Sequence, residues 1–240
     1  MTRAEAGHAF KHLREATDTV LALAARGMHP TDQARARAML NLDLIETFAQ
    51  PDPALADAML RDLGLFEPSR LGVTRFDRYL AKPKPKLPDT LAEHARAMAK
   101  GYFSLFTLDR PHESGGFWIR DVINKKKRPF WLMAEPTDHD ADAIAAVRIF
   151  DAGPFWLTLG PPVFPDALFV ELTRRNPDNF RTPWRKQPCA AALYEMALSG
   201  DGPPEPDWGE LAAIGEILGR VLGDAKPAPA RPSGRPPRRT

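Results

Sequence analysis

Five short segments rich in aromatic and β-branched residues follow one another within about sixty residues, and they constrain the fold more than any other feature of this sequence. They are FSLFTL (103–108), GFWIRDVI (116–123), PFWLMAE (129–135), AIAAVRIF (143–150) and PFWLTLG (154–160). Turn residues separate them, including Ser114-Gly115-Gly116 and Asp151-Ala152-Gly153. Such segments are typical of β-strands. Five of them this closely spaced predict a small antiparallel sheet, curled or closed into a barrel.

Helical periodicity precedes the strands. A first amphipathic segment ends at Gly27, and a single second helix is expected after Pro30 and Thr31. The apolar residues assigned to that second helix are Ala38, Leu42, Ile45 and Ala49. Asp52-Pro53 supplies an N-cap and a first-turn proline for another helix, and Gly64 is expected to end it.

The next segments divide the chain into expected domains. KPKPKLP (82–88) is interpreted as an extended linker between a helical domain at 1–81 and a helix plus barrel at 89–164. Thr90 and Glu93 form a predicted capping box for the helix that precedes the first strand.

Helices are expected again after the last strand, over residues 165–223. They follow Pro165-Asp166, Thr182-Pro183 and Asp207, and the second carries Cys189, Ala192, Leu193 and Met196 on its apolar face. The tail at 224–240 is rich in Pro, Arg and Ala, and disorder is expected because it offers little to bury. The sequence therefore predicts an α+β protein with helices at both ends and a disordered basic tail.

The charge of the chain is unevenly distributed. The last fifteen residues hold five cations and no acid. Removing these from the 33 Lys and Arg leaves 28 cations against 31 acids, so the rest of the chain carries a net charge of −3. A uniformly basic nucleic-acid-binding body is therefore not expected.

Other features of the sequence limit the classes of protein to which the chain can belong. The chain contains one cysteine, Cys189, which excludes an internal disulfide and a thiolate-rich metal site. The first residues lack an uninterrupted apolar stretch, so no signal peptide is expected, and no apolar run is long enough for a membrane span. A cytoplasmic protein without cofactor, metal or membrane association is the simplest expectation.

Three pieces of sequence, in this order, resemble a bacterial family. They are Phe76-Asp77-Arg78-Tyr79, Ser104-Leu105-Phe106 and Ile119-Arg120-Asp121-Val122-Ile123. Over roughly residues 76–160 the chain is similar in pattern and spacing to the central part of uncharacterised SEC-C-motif-containing proteins. The resemblance implies helices joined to a small barrel and no assigned activity. The cysteine-rich zinc motif that defines the family is absent, so a zinc role does not carry over.

Two basic clusters are candidate nucleic-acid contacts. They consist of Lys125, Lys126, Lys127 and Arg128 between two strands, and of Arg174, Arg175, Arg181, Arg185 and Lys186 farther along. The first is interpreted as a hydrated hairpin tip, since single-strand-binding barrels need exposed aromatic residues and Trp118 and Trp131 are expected inside. In the second cluster, the arginines are interpreted as residues near a helix C-terminus that complement the helix dipole. The alternative is that they bind phosphate groups.

Two further clusters contain residue types that can bind metal ions. His8, His12 and Glu15 share a helical face, but the spacing lacks the glutamate that follows the first histidine in zinc hydrolases, and a solvent-facing position is expected. Asp138, His139, Asp140 and Asp142 fail the calcium-loop pattern at its glycine and glutamate positions, so they are interpreted as loop residues.

The leading hypothesis from sequence is a non-catalytic binding or adaptor protein with a protein partner. One alternative is an RNA- or DNA-binding protein that uses the two basic clusters and the tail. A second alternative is an enzyme with a dispersed site, drawn from residues such as Asp121, Asp138, His139 and Asp140.

Overall fold

Seven helices and five strands make up the part of the chain that the structure, a computed structural model, describes. The described residues are 1–69, 71–82, 87–123, 128–134, 143–165, 167, 170, 171, 175 and 190–200. The helices are α1 (Arg3–Arg26), α2 (Pro30–Met39), α3 (Leu42–Phe48), α4 (Pro53–Phe66), α5 (Arg75–Leu80), α6 (Asp89–Ala99) and α7 (Ala190–Leu198). The strands are β1 (Tyr102–Pro111), β2 (Phe117–Asp121), β3 (Phe130–Leu132), β4 (Ile144–Asp151) and β5 (Trp156–Thr158). The predicted α+β class and all five predicted strands are confirmed.

The strands close into a barrel in the order β1-β2-β3-β5-β4. The long β1 pairs antiparallel with both β2 and β4, and the parallel pair of β3 with β5 completes the closure. Four neighbouring strands lie in the order β4-β1-β2-β3, which is the spatial order of a Greek key. Each described strand pairs with two neighbours, β3 and β5 through Leu132 and Trp156, so the sheet is a closed barrel and not the open curled sheet that the sequence also allowed.

Side chains alternate between the barrel interior and its outer wall. One cluster fills the interior and contains Phe106, Leu108, Ile119, Leu132, Ala145, Val147 and Ile149. On β4, the residues between these face outward instead, where Ala146 packs with one group of helical residues and Phe150 with another. One side of the barrel is therefore covered by helices.

The hydrophobic core crosses the boundary expected at residues 82–88. Helical residues Leu63 and Leu193 share a cluster with Phe103 of β1. A second cluster joins Val20 of α1 to Phe150 of β4. Residues 1–200 accordingly form one compact unit, because neither the first helices nor the barrel buries its apolar surface alone.

The N-terminal helices begin and end largely as predicted, with one break. Gly27 ends α1, and the Asp52 side chain accepts a hydrogen bond from the Ala54 amide at the start of α4. The single helix expected after Pro30 is wrong, because the chain divides into α2 and α3. Asn41 has a φ of 48°, a left-handed conformation that asparagine tolerates better than most residues, and it turns the chain there.

Two predicted helix signals are wrong. Gly64 does not end α4, which continues to Phe66; a Cβ at position 64 would lie 2.5 Å from the Met28 Cε, so the glycine allows the chain between α1 and α2 to approach α4 closely. The capping box at Thr90 and Glu93 does not form, since α6 begins at Asp89 and its N-cap is Pro88, two residues before Thr90.

The C-terminal predictions are covered only in part. α7 confirms a helix that carries Leu193 and Met196, with Leu193 buried. Cys189, the helix expected after Asp207 and the tail at 224–240 lie outside the described residues, as do residues 83–86 of the expected linker.

Candidate functional site

The outer face of β1, β2 and β3 carries aromatic and basic residues, among them two tryptophans expected inside the barrel. We name Arg110, His112, Trp118, Arg120 and Trp131 the open wall. Trp118 pairs directly with Trp131 across β2 and β3, and Arg110 pairs with Trp118 across β1 and β2. Directly paired residues point to the same side of a sheet. Since the neighbouring Ile119 and Leu132 fill the interior, both tryptophans lie outside it, and their expected place inside the barrel is wrong. Trp131 packs there against the cluster that contains Phe155, whereas Trp118 is not part of that cluster.

Trp131 is held in place by the turn between β1 and β2. The His112 ring stacks on it with a centroid distance of 3.9 Å and an interplanar angle of 11°. Its indole N–H donates to the Gly115 carbonyl at 2.8 Å, and Phe155 meets the ring edge-on. Trp131 is therefore a fixed support rather than a free ring.

The Ser-Gly-Gly turn permits this arrangement. Gly115 and Gly116 have φ values of 105° and 71°, which favour glycine. A Cβ at position 116 would lie 2.2 Å from the Leu132 carbonyl oxygen, so a side chain there would separate the turn from β3. The turn signal in the sequence thus also fixes the aromatic stack.

Hydrogen bonding defines the proton position on neutral His112. The Ser114 backbone N–H donates to His112 Nδ1 at 3.0 Å, so the neutral ring carries its proton on Nε2. The same ring lies 4.9 Å from Trp118 in a tilted contact. Trp118 itself is half-buried, which leaves part of an indole ring beside a histidine donor.

Arginines flank the tryptophans. Arg110 is exposed, and it follows a bulge in the pairing of β1 with β2. Arg120 is 57% exposed and pairs with Asp109 at 2.6 Å. Bulges re-aim side chains, and here the bulge places Arg110 beside Trp118. The open wall therefore combines aromatic surface with two solvent-accessible cations.

The predicted basic clusters are only partly described. The antiparallel pairing of β2 with β3 confirms the hairpin, and Arg128 near its tip is exposed; Lys125, Lys126 and Lys127 lie outside the described residues. In the second cluster, Arg175 is exposed and pairs with Glu171 at 2.8 Å. The remaining members, Arg174, Arg181, Arg185 and Lys186, lie outside the described residues.

The opposite side of the barrel, which we name the covered wall, buries an arginine of β4. The Arg148 Nε donates to Asp62 Oδ1 of α4 at 2.9 Å, and its Nη2 lies 3.6 Å from a Glu67 carboxylate oxygen. The Tyr194 hydroxyl of α7 donates to the second Asp62 oxygen at 3.1 Å. The guanidinium also lies over the ring of Phe66. This network ties α4, β4 and α7 together.

Burial and charge set the protonation of this network. Burial opposes the Arg148 charge, but the carboxylates of Asp62 and Glu67 outweigh that cost and raise the arginine pKa. Burial, together with the negative charge of Asp62, raises the pKa of Tyr194 well above its ordinary value. All four residues are shielded from solvent, so the network is suited to holding elements together rather than to binding a ligand.

Asp121, a candidate for the enzyme hypothesis, is also buried. It accepts hydrogen bonds from the Ser104 hydroxyl at 2.8 Å and from the Ile123 amide at 3.0 Å. Burial, and next the charge of Asp121, raises the pKa of Tyr102, which is half-buried beside it. The other enzyme candidates, Asp138, His139 and Asp140, lie outside the described residues, as does Asp142.

The histidine cluster of α1 faces solvent as predicted. His8, His12 and Glu15 are all exposed. Among the residues the structure describes, no group of three or more His, Cys, Asp or Glu side chains is arranged to hold a metal ion.

Residue types alone do not predict the open wall, because the direction of each strand side chain depends on the register of the strand. Alternation along FWIRD places Trp118 on the face opposite Ile119, and once Ile119 is assigned to the interior the tryptophan must be outside. The residues around His112 in the sequence do not predict its contact with Trp131, because the two rings meet only in the folded chain.

Comparison with known proteins gives no match: no protein-family model fits the chain, and neither a curated protein nor a solved structure is detectably similar to it. The resemblance to SEC-C-motif proteins therefore stays a prediction. None of the helices in the described ranges is both long enough and apolar enough to span a membrane.

Proposed function

We propose that this chain is a cytoplasmic, non-catalytic binding protein whose open wall binds single-stranded RNA or DNA. The observation that carries the proposal is the outward direction of Trp118 and Trp131 beside Arg110. Of the two sequence-based arguments against nucleic acid, the expected place of these tryptophans inside the barrel is wrong, whereas the net charge of −3 outside the last fifteen residues still stands.

The chemistry of the open wall suits a single strand. An unpaired base stacks on an aromatic ring, and Trp118 offers a partly exposed indole supported by His112. Arg110 and Arg120 are placed to meet phosphates, and the His112 Nε2–H is a further donor. A duplex keeps its bases stacked inside, so this surface favours single strands over duplexes.

The architecture supports the same assignment. Five-stranded Greek-key barrels include the OB-fold, which binds oligonucleotides and oligosaccharides on the face of strands 2 and 3 and the loops beside it. In this chain the tryptophans lie on β2 and β3, and His112 lies in the loop between β1 and β2. Because one architecture serves many functions, the residues of the open wall carry the proposal and the architecture only agrees with it.

The test is a binding titration of the full chain with a fluorescent single strand of about 12 nucleotides, within the range such barrels cover. Trp118→Ala should weaken binding about 5- to 150-fold, since one stacked base contributes about 1–3 kcal/mol. Leu44→Ala is the control, because Leu44 is a 61% exposed apolar residue on α3, away from the barrel strands. Both variants keep residues 226–240, so non-specific attraction by those five cations is the same in each.

Two outcomes would refute the proposal. Equal affinities for the wild type, Trp118→Ala and Leu44→Ala would show that cations alone hold the nucleic acid. Equal affinity for the single strand and the matching duplex would remove base stacking as the basis of recognition.

A further inference from the structure

The bulge of β1 brings a carboxylate to the face of the barrel that carries the open wall. The pairing steps from Leu108 opposite Ile119 to Arg110 opposite Trp118, so Asp109 is the extra residue of β1. The Asp109 Oδ2 accepts a hydrogen bond from the Arg120 Nη2 at 2.6 Å. Because Arg120 belongs to the open wall, the Asp109 carboxylate lies on that face too, one residue along β1 from the direct partner of Trp118.

This carboxylate is within reach of a base that stacks on Trp118. Trp118 and Arg120 lie two residues apart on the same face of β2, which separates them by roughly 6–7 Å. The ion pair holds the Asp109 carboxylate against the Arg120 side chain. A base on the half-buried Trp118 indole can therefore turn one edge along β2 towards this acceptor.

The carboxylate keeps capacity for further hydrogen bonds. An ionised carboxylate has about four lone-pair sites, and the contact with Arg120 uses one of them. The Asp109 side chain is 22% exposed, so solvent and ligands reach it. A carboxylate accepts hydrogen bonds and donates none, so it favours the base edge with the most adjacent donors.

We infer that the open wall selects guanine through Asp109. Guanine places two donors side by side on its Watson–Crick edge, N1–H and the 2-amino group, and these match the two oxygens of a carboxylate. Thymine and uracil present one donor between two carbonyl oxygens, and adenine and cytosine set an acceptor nitrogen beside their amino group. These acceptors repel a carboxylate. The selectivity rests on the proposed function, since it requires a base stacked on Trp118.

The test measures binding of the full chain to fluorescent DNA single strands of about 12 nucleotides. All positions are thymidine except one central base, which is thymine, cytosine, adenine, guanine or hypoxanthine. The guanine strand should bind about 5- to 150-fold more tightly than the thymine strand, which is the discrimination expected of one bidentate contact. The hypoxanthine strand should bind more weakly than the guanine strand, because hypoxanthine lacks only the 2-amino group.

A substitution of Asp109 separates base selection from attraction of phosphates. Asp109→Asn should abolish the guanine preference, because an amide has one acceptor oxygen and its N–H groups meet the donors of guanine. The thymine strand should bind this variant no more weakly than the wild type, since a negative charge has been removed. The matched control is Asp18→Asn, which takes the same charge from an ion pair with Arg14 on α1 and should keep the full guanine preference.

Three outcomes would overturn the guanine assignment. The first is equal binding of the guanine and thymine strands while Trp118→Ala weakens both, which would leave the single-strand proposal intact. The second is a strand with another central base that binds more tightly than the guanine strand. The third is a guanine preference that persists in Asp109→Asn. If Trp118→Ala weakens neither strand, the proposed function and the guanine assignment are both overturned.

Discussion

Two arginines on the same barrel meet opposite environments. Arg148 of β4 lies under α4 and α7, and it needs two carboxylates and an aromatic ring because no water reaches it. Arg120 of β2 lies on the open wall, keeps more than half of its side-chain surface in solvent and pairs only with Asp109 among the interactions described. The helices thus convert one wall into core, whereas on the other wall Arg120 stays in solvent. We expect charge on the covered wall to determine stability and charge on the open wall to determine binding.

The largest effect should follow from removing the covered arginine. Arg148→Met leaves Asp62 and Glu67 buried without their counter-charge, so the free energy of unfolding should fall by about 3–5 kcal/mol. The matched control is Arg120→Met, which should cost about 0–1 kcal/mol because exposed ion pairs contribute little. Urea unfolding of both variants gives the comparison. Similar losses of unfolding free energy in Arg148→Met and Arg120→Met would contradict the expectation that only the charge on the covered wall determines stability.

The Tyr194 hydroxyl should contribute the next largest effect on the covered wall. Tyr194→Phe removes a donor to a buried carboxylate and should cost about 1.5–3 kcal/mol.

The same tyrosine should make stability sensitive to high pH. Because its pKa is raised in the folded protein, its contribution is complete below the ordinary tyrosine value of 10.0 and falls as the pH rises above that value. Melting temperatures between about pH 8 and 11 should therefore fall less steeply for Tyr194→Phe than for the wild type, whereas removing a tyrosine with the same pKa in the folded and unfolded states would leave the slope unchanged. Tyr79 and Tyr102, whose pKa values are also raised, should leave part of the decline in the variant.

A glycine beneath α7 tests how tightly the covered wall is packed. A Cβ at position 160 would lie 2.8 Å from the Tyr194 hydroxyl and 3.0 Å from Asp62 Cγ. Gly160→Ala should therefore cost about 1–3 kcal/mol, as overpacking usually does. Gly7 lies on α1, and in Gly7→Ala the new methyl group would meet no atom within 4 Å beyond the adjacent backbone of its own helix, so that variant should gain about 0.5–1 kcal/mol from helix propensity. A thermal scan that found Gly160→Ala neutral would indicate a looser network.

The smallest stability effect is expected on the open wall. Arg110→Ser should change the free energy of unfolding by no more than about 0.5 kcal/mol, since Arg110 is exposed. It should lower the log–log salt dependence of single-strand binding by about 0.7 if Arg110 contacts a phosphate. Arg61→Ser, on α4, should leave that slope unchanged. An unaltered slope in Arg110→Ser would remove this arginine from the phosphate contacts.

Strand composition and turn residues were sufficient to predict the five strands and a small sheet, curled or closed, because each of the five segments is locally distinctive. Helix signals were less reliable. Gly64 carries a typical stop signal, but close packing against Met28 explains its presence inside α4. The break at Asn41 depends on a single left-handed residue, which sequence periodicity does not reveal.

The two walls could not be distinguished from sequence, since the difference depends on which side of the barrel the helices cover. Arg148 stands among apolar residues in AIAAVRIF, and its partners Asp62 and Tyr194 are remote in the chain. The direction of Trp118 was accessible in principle through alternation. The expectation that every aromatic side chain of the strands fills the barrel interior is wrong for Trp118.

Photo-crosslinking tests the central claim most directly. The full chain, bound to a single-stranded oligonucleotide containing 5-iodouracil, is irradiated, and the modified peptides are mapped by mass spectrometry. The open wall should carry the crosslinks, on Trp118 or His112, because bases stacked there lie against these rings. Crosslinks confined to residues 226–240 or to the helices would contradict the assignment of single-strand binding to the barrel.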